Sequence, residues 1–243
     1  MQTDTSREAG IERLSSTSIS SVTNPYHLVL HFIRHDIAEA ATQYASGQLL
    51  DIGCGNKPYE ELFKNSVSSY IGCDIVQSSL NVVDNLCPAN ELCYGDQAFD
   101  TVFSTQVIEH VADHHGMVKE SFRVLKPGGH AIFTAPFNWE LHEEPYDFFR
   151  FSKHGLKFLF EKYGFEVIKI KSNGGKWAAI SQLWLNVLLS TRKYRTLRSR
   201  IIKLLFLRLK LIVPYNRFFI WLDKRYFDDV FTLNYIIVAR KPL

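Results

Sequence analysis

Two glycines and two aspartates carry the first chemistry legible in this chain. Asp51-Ile52-Gly53-Cys54-Gly55 follows the apolar pair Leu49-Leu50, so a buried strand ends in an acid and opens into a glycine turn. Glycines there let the backbone turn tightly and let a ligand approach it closely. A fixed negative charge at the strand end repels phosphate but suits an ammonium group. Pro58 also stands where a dinucleotide fingerprint has its third glycine. The stretch therefore points to a cationic, phosphate-free nucleoside and away from a nicotinamide cofactor, the bland alternative being a structural turn with a solvated aspartate. Asp74, 23 positions after Asp51, closes Tyr70-Ile71-Gly72-Cys73. An acid at that spacing can accept hydrogen bonds from both hydroxyls of a ribose.

These residues need an alternating frame of strands and helices. Leu28, Val29, Phe32, Ile33, Ile37 and Ala41 recur at helical spacing between Pro25 and about Ala45, with Asn24 as a cap before the proline. Strands are predicted at 70–74, at Asn81-Val82-Val83-Asp84, and at 99–104, 131–134, 165–171 and 233–240. A helix capped by Ser152 runs to Tyr163 and is closed by Gly164. Residues 1–24 are rich in Ser and Thr with few apolar anchors and are expected to form a flexible tail.

An ordered set of motifs completes the frame. Asp51-x-Gly53-x-Gly55, Asp74, Asp84, Phe99-Asp100 and Val107-Ile108-Glu109-His110-Val111 are followed by Phe122-Arg123-Val124-Leu125-Lys126-Pro127-Gly128-Gly129 and Ala131-Ile132-Phe133-Thr134. This set resembles the class I S-adenosylmethionine-dependent methyltransferases over roughly residues 47–171, with a last strand near 232–240. The resemblance implies an α/β fold, a Rossmann-like seven-stranded sheet with helices on both faces and an antiparallel last strand. It implies S-adenosyl-L-methionine as cofactor. By carry-over, the backbone of Gly53, Cys54 and Gly55 receives the methionine part and Asp51 holds its amino group. Asp74, with Ile75 beside it, holds the ribose, Asp84 and Asn85 face adenine, and Gln106 lines the wall beside the sulfonium.

Methyl transfer needs alignment above all. A hydroxyl acceptor also needs a base. The stretch 135–152 carries Glu140, His142, Glu143, Glu144, Asp147 and Arg150 beside aromatic residues, a composition unusual for a mere connection. His142 is the candidate base; alternatively, His142 and Arg150 tie the loop together through Glu143, Glu144 or Asp147. His110, which begins the next helix in the family pattern, is either catalytic or helix-positioning. The loop also resembles one in methyltransferases found with bacterial surface-polysaccharide enzymes, which points to a small or lipid-linked glycan hydroxyl as acceptor.

The whole chain has 243 residues, 46% hydrophobic, enough for one sizeable core plus an insertion. Its four cysteines, Cys54, Cys73, Cys87 and Cys93, lack paired metal-ligand spacing, and nothing resembles a signal peptide. Reduced thiols, no metal and a cytoplasmic setting are expected, although Cys87 and Cys93 with a nearby histidine would be an alternative metal site.

The net charge of +3 hides a strong segregation. Residues 190–225 contain eleven basic side chains and one acid, Asp223, which makes them +10 and leaves −7 for the remainder. They fall in a segment, 172–231, where this family needs only a short connection. It is expected to be a helical insertion over or beside the acceptor pocket, with Arg192, Lys203 and Lys210 near one line of a helical projection. That pattern suits a lid alone, or a lid that also touches anionic lipid at the inner face of a membrane. Basic residues here accompany aliphatic rather than stacking groups, which disfavours nucleic acid. The rival readings are a non-catalytic cofactor-binding module and an RNA methyltransferase.

Overall fold

The computed structural model describes residues 21–189, 201 and 204–243. Seven strands form one sheet: β1 (Gln48–Ile52), β2 (Ser69–Asp74), β3 (Asn85–Leu86), β4 (Phe99–Thr105), β5 (Leu125–Pro136), β6 (Glu166–Asn173) and β7 (Asn234–Arg240). Their order is β3-β2-β1-β4-β5-β7-β6. The first five are joined in parallel, and β7 inserts antiparallel between β5 and β6. The Rossmann-like sheet with its antiparallel last strand is thus present as expected.

Alternating side chains feed two apolar layers. Leu50, Val102, Phe133 and Ile237 join one layer with helices α3 (His114–Val124) and α4 (Lys153–Lys162). Leu49, Phe103, Ile132 and Ile236 join the other with α1 (His27–Tyr44) and the short α2 (Glu60–Phe63). Burial on both faces explains why the strands read as continuous apolar runs. Each wholly buried Leu, Ile or Phe contributes on the order of 1.5–3 kcal/mol.

The first helix starts two residues later than expected, at His27, with Tyr26 rather than Asn24 at the cap position and no side-chain cap. Asn24 Oδ1 accepts from the Tyr26 backbone N–H at 2.8 Å in the turn that precedes the helix. Polar groups then lock α1 onto the edge strand β6. The buried carboxylate of Asp36 accepts from Lys171 Nζ and Asn173 Nδ2, each at 2.7 Å, and Glu39 accepts from Lys169 and Lys171. Hydrogen bonds from Lys169 and Lys171 hold the Glu39 carboxyl down at about 2.

Two further expectations need correction. Residues 81–84 are not a strand. The Gln77 side chain accepts from the Val83 N–H (3.0 Å) and donates to the Val83 carbonyl (3.1 Å), replacing a strand neighbour, and pairing begins only at Asn85. His110 does not begin a long helix. It ends a 3-10 turn (Ile108–His110), and α3 starts afresh at His114 behind an Asp113 cap that accepts from Gly116 N–H at 2.8 Å.

Segment 172–231 is largely helical where it is described. It contributes α5 (Lys176–Leu189) and α6 (Ile212–Arg225), and no described residue of it lines the ligand cavity. The two helices pack together and onto α1. Asp223 of α6, 1% exposed, accepts from the backbone N–H groups of Gly175 (2.9 Å) and Ala178 (3.0 Å). It therefore caps the amino end of α5 from across space. Asn216 and Gln182 donate to the carbonyls of Val22 and Pro25. Arg192, Lys203 and the rest of that basic tract up to Lys203 lie outside the described residues.

Candidate active site

At the carboxyl ends of β1, β2 and β4 a cavity of about 480 Å³ opens, within the roughly 300–1,000 Å³ usual for small-molecule sites. Asp51 sits on its wall, buried at the end of β1. Tyr70 donates its hydroxyl to Asp51 Oδ2 at 2.5 Å, while Oδ1 is buried without a hydrogen-bond partner. Burial pushes the Asp51 carboxyl up to about 7, and the Tyr70 hydrogen bond acts in the opposite direction. A cation delivered here would relieve both the unpaired oxygen and the cost of ionisation.

The glycine turn is shaped for close approach. Gly53 has φ +74, and a β-carbon on it would lie 2.4 Å from Val107 Cγ2, so only glycine fits between the turn and the β4 exit. The backbone N–H groups of Gly53 and Cys54 both donate to the Cys73 carbonyl, at 2.8 and 3.1 Å. Asp74 accepts from Gly55 N–H (3.0 Å) and Ile75 N–H (2.7 Å), which ties the turn to the end of β2. Gly53, Cys54, Gly55, Asp74, Ile75 and Gln106 all line the cavity. Gln106 is held at φ +55 by its N–H to the Thr134 carbonyl (3.2 Å) and its amide to Thr134 Oγ1 (3.1 Å).

Asp84 and Asn85 do not line the cavity. Asp84 accepts from Gly72 N–H (2.7 Å) and Lys57 Nζ (2.6 Å), bracing the loop from behind, and Asn85 donates to the Tyr94 hydroxyl. Cys87, Pro88, Ala89 and Asn90 supply that wall instead. Cys87 and Cys93 approach to 3.0 Å between sulfurs, but among the described residues neither joins a group of three potential metal ligands.

Beyond Gln106 the wall turns polar and aromatic. His110, Glu143, Tyr146 and Phe148 line it, and His142 stands behind His110 with ring centroids 4.7 Å apart. His110 Nδ1 donates to the Tyr146 carbonyl at 2.8 Å, and His110 Nε2 lies 3.8 Å from both Glu109 Oε1 and Glu143 Oε2. Glu109 is wholly buried, neither of its carboxylate oxygens has a hydrogen-bond partner, and burial pushes its carboxyl up to about 8.

The scaffold reading of the 135–152 loop is realised through Asp147. Arg150 donates to it bidentately (2.5 and 2.7 Å), and the His142 backbone N–H donates to it at 2.9 Å. Burial works to raise the Asp147 carboxyl, but these donors hold it at about 2. Backbone N–H groups of Phe148 and Phe149 donate to the Glu109 carbonyl, fastening the loop to the 3-10 turn. Glu109 escaped sequence reasoning as a site residue because its importance lies in burial; its only signal was its place before His110.

This fold, with a glycine turn between two strand-end acids, is that of the class I S-adenosylmethionine-dependent methyltransferases. The sequence model of the family described as "Methyltransferase domain" matches residues 27–170, more than half of the chain, and the chain belongs to that family. It is 30% identical over 115 residues to a Mycolicibacterium smegmatis protein named "probable S-adenosylmethionine-dependent methyltransferase", covering 43% of this chain and 45% of that one. It is 31% identical over 100 residues to the ubiquinone biosynthesis O-methyltransferase of Idiomarina loihiensis, covering 36% and 41%. The match thus spans less than half the length of either relative. Among solved structures, a SAM-dependent methyltransferase from Archaeoglobus fulgidus has the same fold, with TM-score 0.55 and 19% identity over 87% of this chain and 94% of that chain.

Proposed function

We propose that the protein transfers a methyl group from S-adenosylmethionine to a hydroxyl of a small or lipid-linked acceptor, glycans included. The observation that carries this reading is Asp51: a buried carboxylate beside the glycine turn, one oxygen held by Tyr70 and the other unpartnered. It fits the ammonium of the cofactor's methionine part. When bound, S-adenosylmethionine supplies an electrophilic methyl group on a sulfonium.

Every other task falls to the chain. Asp51 and the Gly53 to Gly55 turn fix the methionine end, Asp74 meets the ribose, and Cys87 to Asn90 wall the base. Gln106 marks the reacting end, and the acceptor lies against Tyr146 and Phe148. With the cofactor held there, its methyl carbon would be offered to the acceptor oxygen, the electron pair of the broken carbon–sulfur bond staying on sulfur. His110 Nε2 and Glu143 form the basic wall that receives the hydroxyl proton. The O-methyltransferase name of the Idiomarina relative supports a hydroxyl acceptor.

Calorimetric titration with S-adenosylmethionine, S-adenosylhomocysteine and NADH tests the cofactor. Binding of the first two alone is expected, and failure of both would overturn the reading. Mass spectrometry of acceptor mixtures then seeks the added methyl group; binding without transfer to any acceptor would favour a non-catalytic module.

The insertion favours a lipid-linked acceptor. Trp184 and Trp221 are each 57% exposed and Phe218 52%, with Arg217, Lys224 and Arg225 on the same α6 helix as Trp221. Exposed aromatic and basic side chains together suit an anionic membrane surface. Among the described residues no helix is long and apolar enough to cross a membrane. Co-sedimentation with phosphatidylglycerol vesicles at low salt is expected, and its absence would remove the membrane contact.

A further inference from the structure

We infer that Glu109, His110 and His142 form a binding site for a divalent transition-metal cation of the zinc class, at the acceptor end of the cavity. One potential ligand atom of each residue lies within 4.8 Å of the others. Zinc–ligand distances of about 2.0–2.2 Å in a tetrahedral shell place ligand atoms roughly 3.4 Å apart, so the three side chains draw together by up to about 1.4 Å when the ion binds.

The hydrogen bonds around the cluster set both rings for ligation. The Tyr146 carbonyl can only accept, so His110 Nδ1 carries the proton and the neutral ring has its lone pair on Nε2. That atom points between two carboxylates, Glu109 and Glu143, each 3.8 Å away. His142 repeats the arrangement. Its Nδ1 lies 3.2 Å from the Glu140 carbonyl and 3.2 Å from Asp147 Oδ2, two acceptors that place the ring proton on Nδ1. A carboxylate or carbonyl behind the imidazole is the usual outer support of a metal-bound histidine, fixing its tautomer and raising its basicity. Asp147 is itself clamped by Arg150, so the support is rigid.

The third observation is independent of the rings. Glu109 is 0% exposed, and neither carboxylate oxygen has a hydrogen-bond partner. A buried carboxylate that finds no donor is costly, and a cation beside it removes the cost. The donor set of two imidazoles and a carboxylate suits zinc and its neighbours rather than magnesium or calcium, which prefer all-oxygen shells.

The other candidate cluster, His35, Asp36 and Glu39, is different. Lys169 and Lys171 already neutralise its two acids.

Three protein ligands leave coordination positions open, and His110 and Glu143 line the cavity, so those positions are reached from it. The catalytic use of the ion rests on the methyl-transfer reading. A cation there takes the acceptor hydroxyl oxygen as a ligand and lowers its pKa. His110 Nε2 is then committed to the metal, and Glu143 receives the proton as the oxygen attacks the methyl carbon.

Binding is tested without activity. The full chain, stripped with chelator, is titrated with Zn²⁺ against a chromophoric chelator and with Co²⁺ while the visible absorption is followed. One ion per chain and a cobalt spectrum of low-coordinate character are expected. Loss of an outer support alone typically costs about 10- to 100-fold in affinity. Glu109→Gln and His142→Ala should therefore each weaken binding at least tenfold.

Stoichiometric binding that survives both substitutions, or no binding by the wild-type chain, overturns the site. S-adenosylhomocysteine binding by the stripped protein is measured in parallel. If it persists while no metal binds, the metal site falls and the methyltransferase reading stands. If metal binds and the cofactor does not, the reverse holds.

Discussion

The Tyr70 hydroxyl reaches across from β2 to Asp51 at the end of β1 and holds one carboxylate oxygen at 2.5 Å, leaving the other buried and unmatched. The free protein therefore contains half of an ion pair. Its neighbours are Asp74 and Glu60, which disfavour the charge, and Lys57, which favours it.

This has a pH consequence with a definite sign. Asp51 titrates at about 7 in the folded chain against an ordinary 3.8, so between those values the folded state binds more protons than the unfolded. Stability of the free protein from this group should fall as pH rises from about 4 to about 7 and stay level above. Cofactor binding runs the other way, because the ammonium needs the ionised carboxylate. Melting curves with and without S-adenosylhomocysteine should show a ligand-induced increase that grows over this interval. Asp51→Asn should abolish that growth and bind weakly at every pH.

Tyr70→Phe removes the donor that favours ionised Asp51. A hydrogen bond to a charged group is worth about 1.5–3 kcal/mol, so the acid limb of cofactor affinity should move up by about one pH unit or more. Calorimetry across the same interval reads it, and an unmoved limb would show that Tyr70 does not tune the carboxylate.

Gly53→Ala places a methyl group 2.4 Å from Val107 Cγ2 on a backbone with φ +74. A strained residue of this kind costs about 1–3 kcal/mol. Because Val107 also lines the cavity, cofactor affinity should fall on the order of tenfold along with the denaturant midpoint.

Arg150→Ala leaves the Asp147 carboxylate, 1% exposed, without its bidentate partner. Breaking a buried pair costs about 3–5 kcal/mol, and the partial exposure of Arg150 argues for the lower end. His142 and the acceptor wall loosen with it. Turnover should drop far more than cofactor affinity, whose residues lie on β1 and β2.

Asp223→Ala removes the cap of α5 supplied from α6. Caps of this type are worth about 0.5–2 kcal/mol. Stability should fall by that amount while S-adenosylhomocysteine affinity stays unchanged, since neither helix reaches the cavity.

The parallel frame and the glycine turn were legible because burial on both sheet faces writes apolar runs and because Asp51, Gly53 and Asp74 lie close to one another in the chain. Asn81-Val82-Val83-Asp84 misled because Gln77 satisfies the backbone of Val83 with its side chain, a local competition that β-propensity does not register. The two histidines were hard to tell apart for another reason. Composition singled out the loop that holds His142, but which histidine faces the cavity depends on the packing of that loop over the 3-10 turn. Asp223 was counted only as a charge, whereas its burial makes it a cap.

The insertion of β7 between β5 and β6 orders events at synthesis. Among the described residues, edge strand β6 pairs only with β7, in a register running from Glu166 opposite Arg240 to Asn173 opposite Asn234. A nascent chain that has emerged only as far as α6 has made β6 but not its partner, and β5 still presents an open edge. The amino-terminal half can gather around β1 and β4, yet the sheet cannot close until residues 234–240 leave the ribosome. Removing those few residues would therefore cost two strand pairings rather than one, and would leave two adjacent edges exposed to another chain.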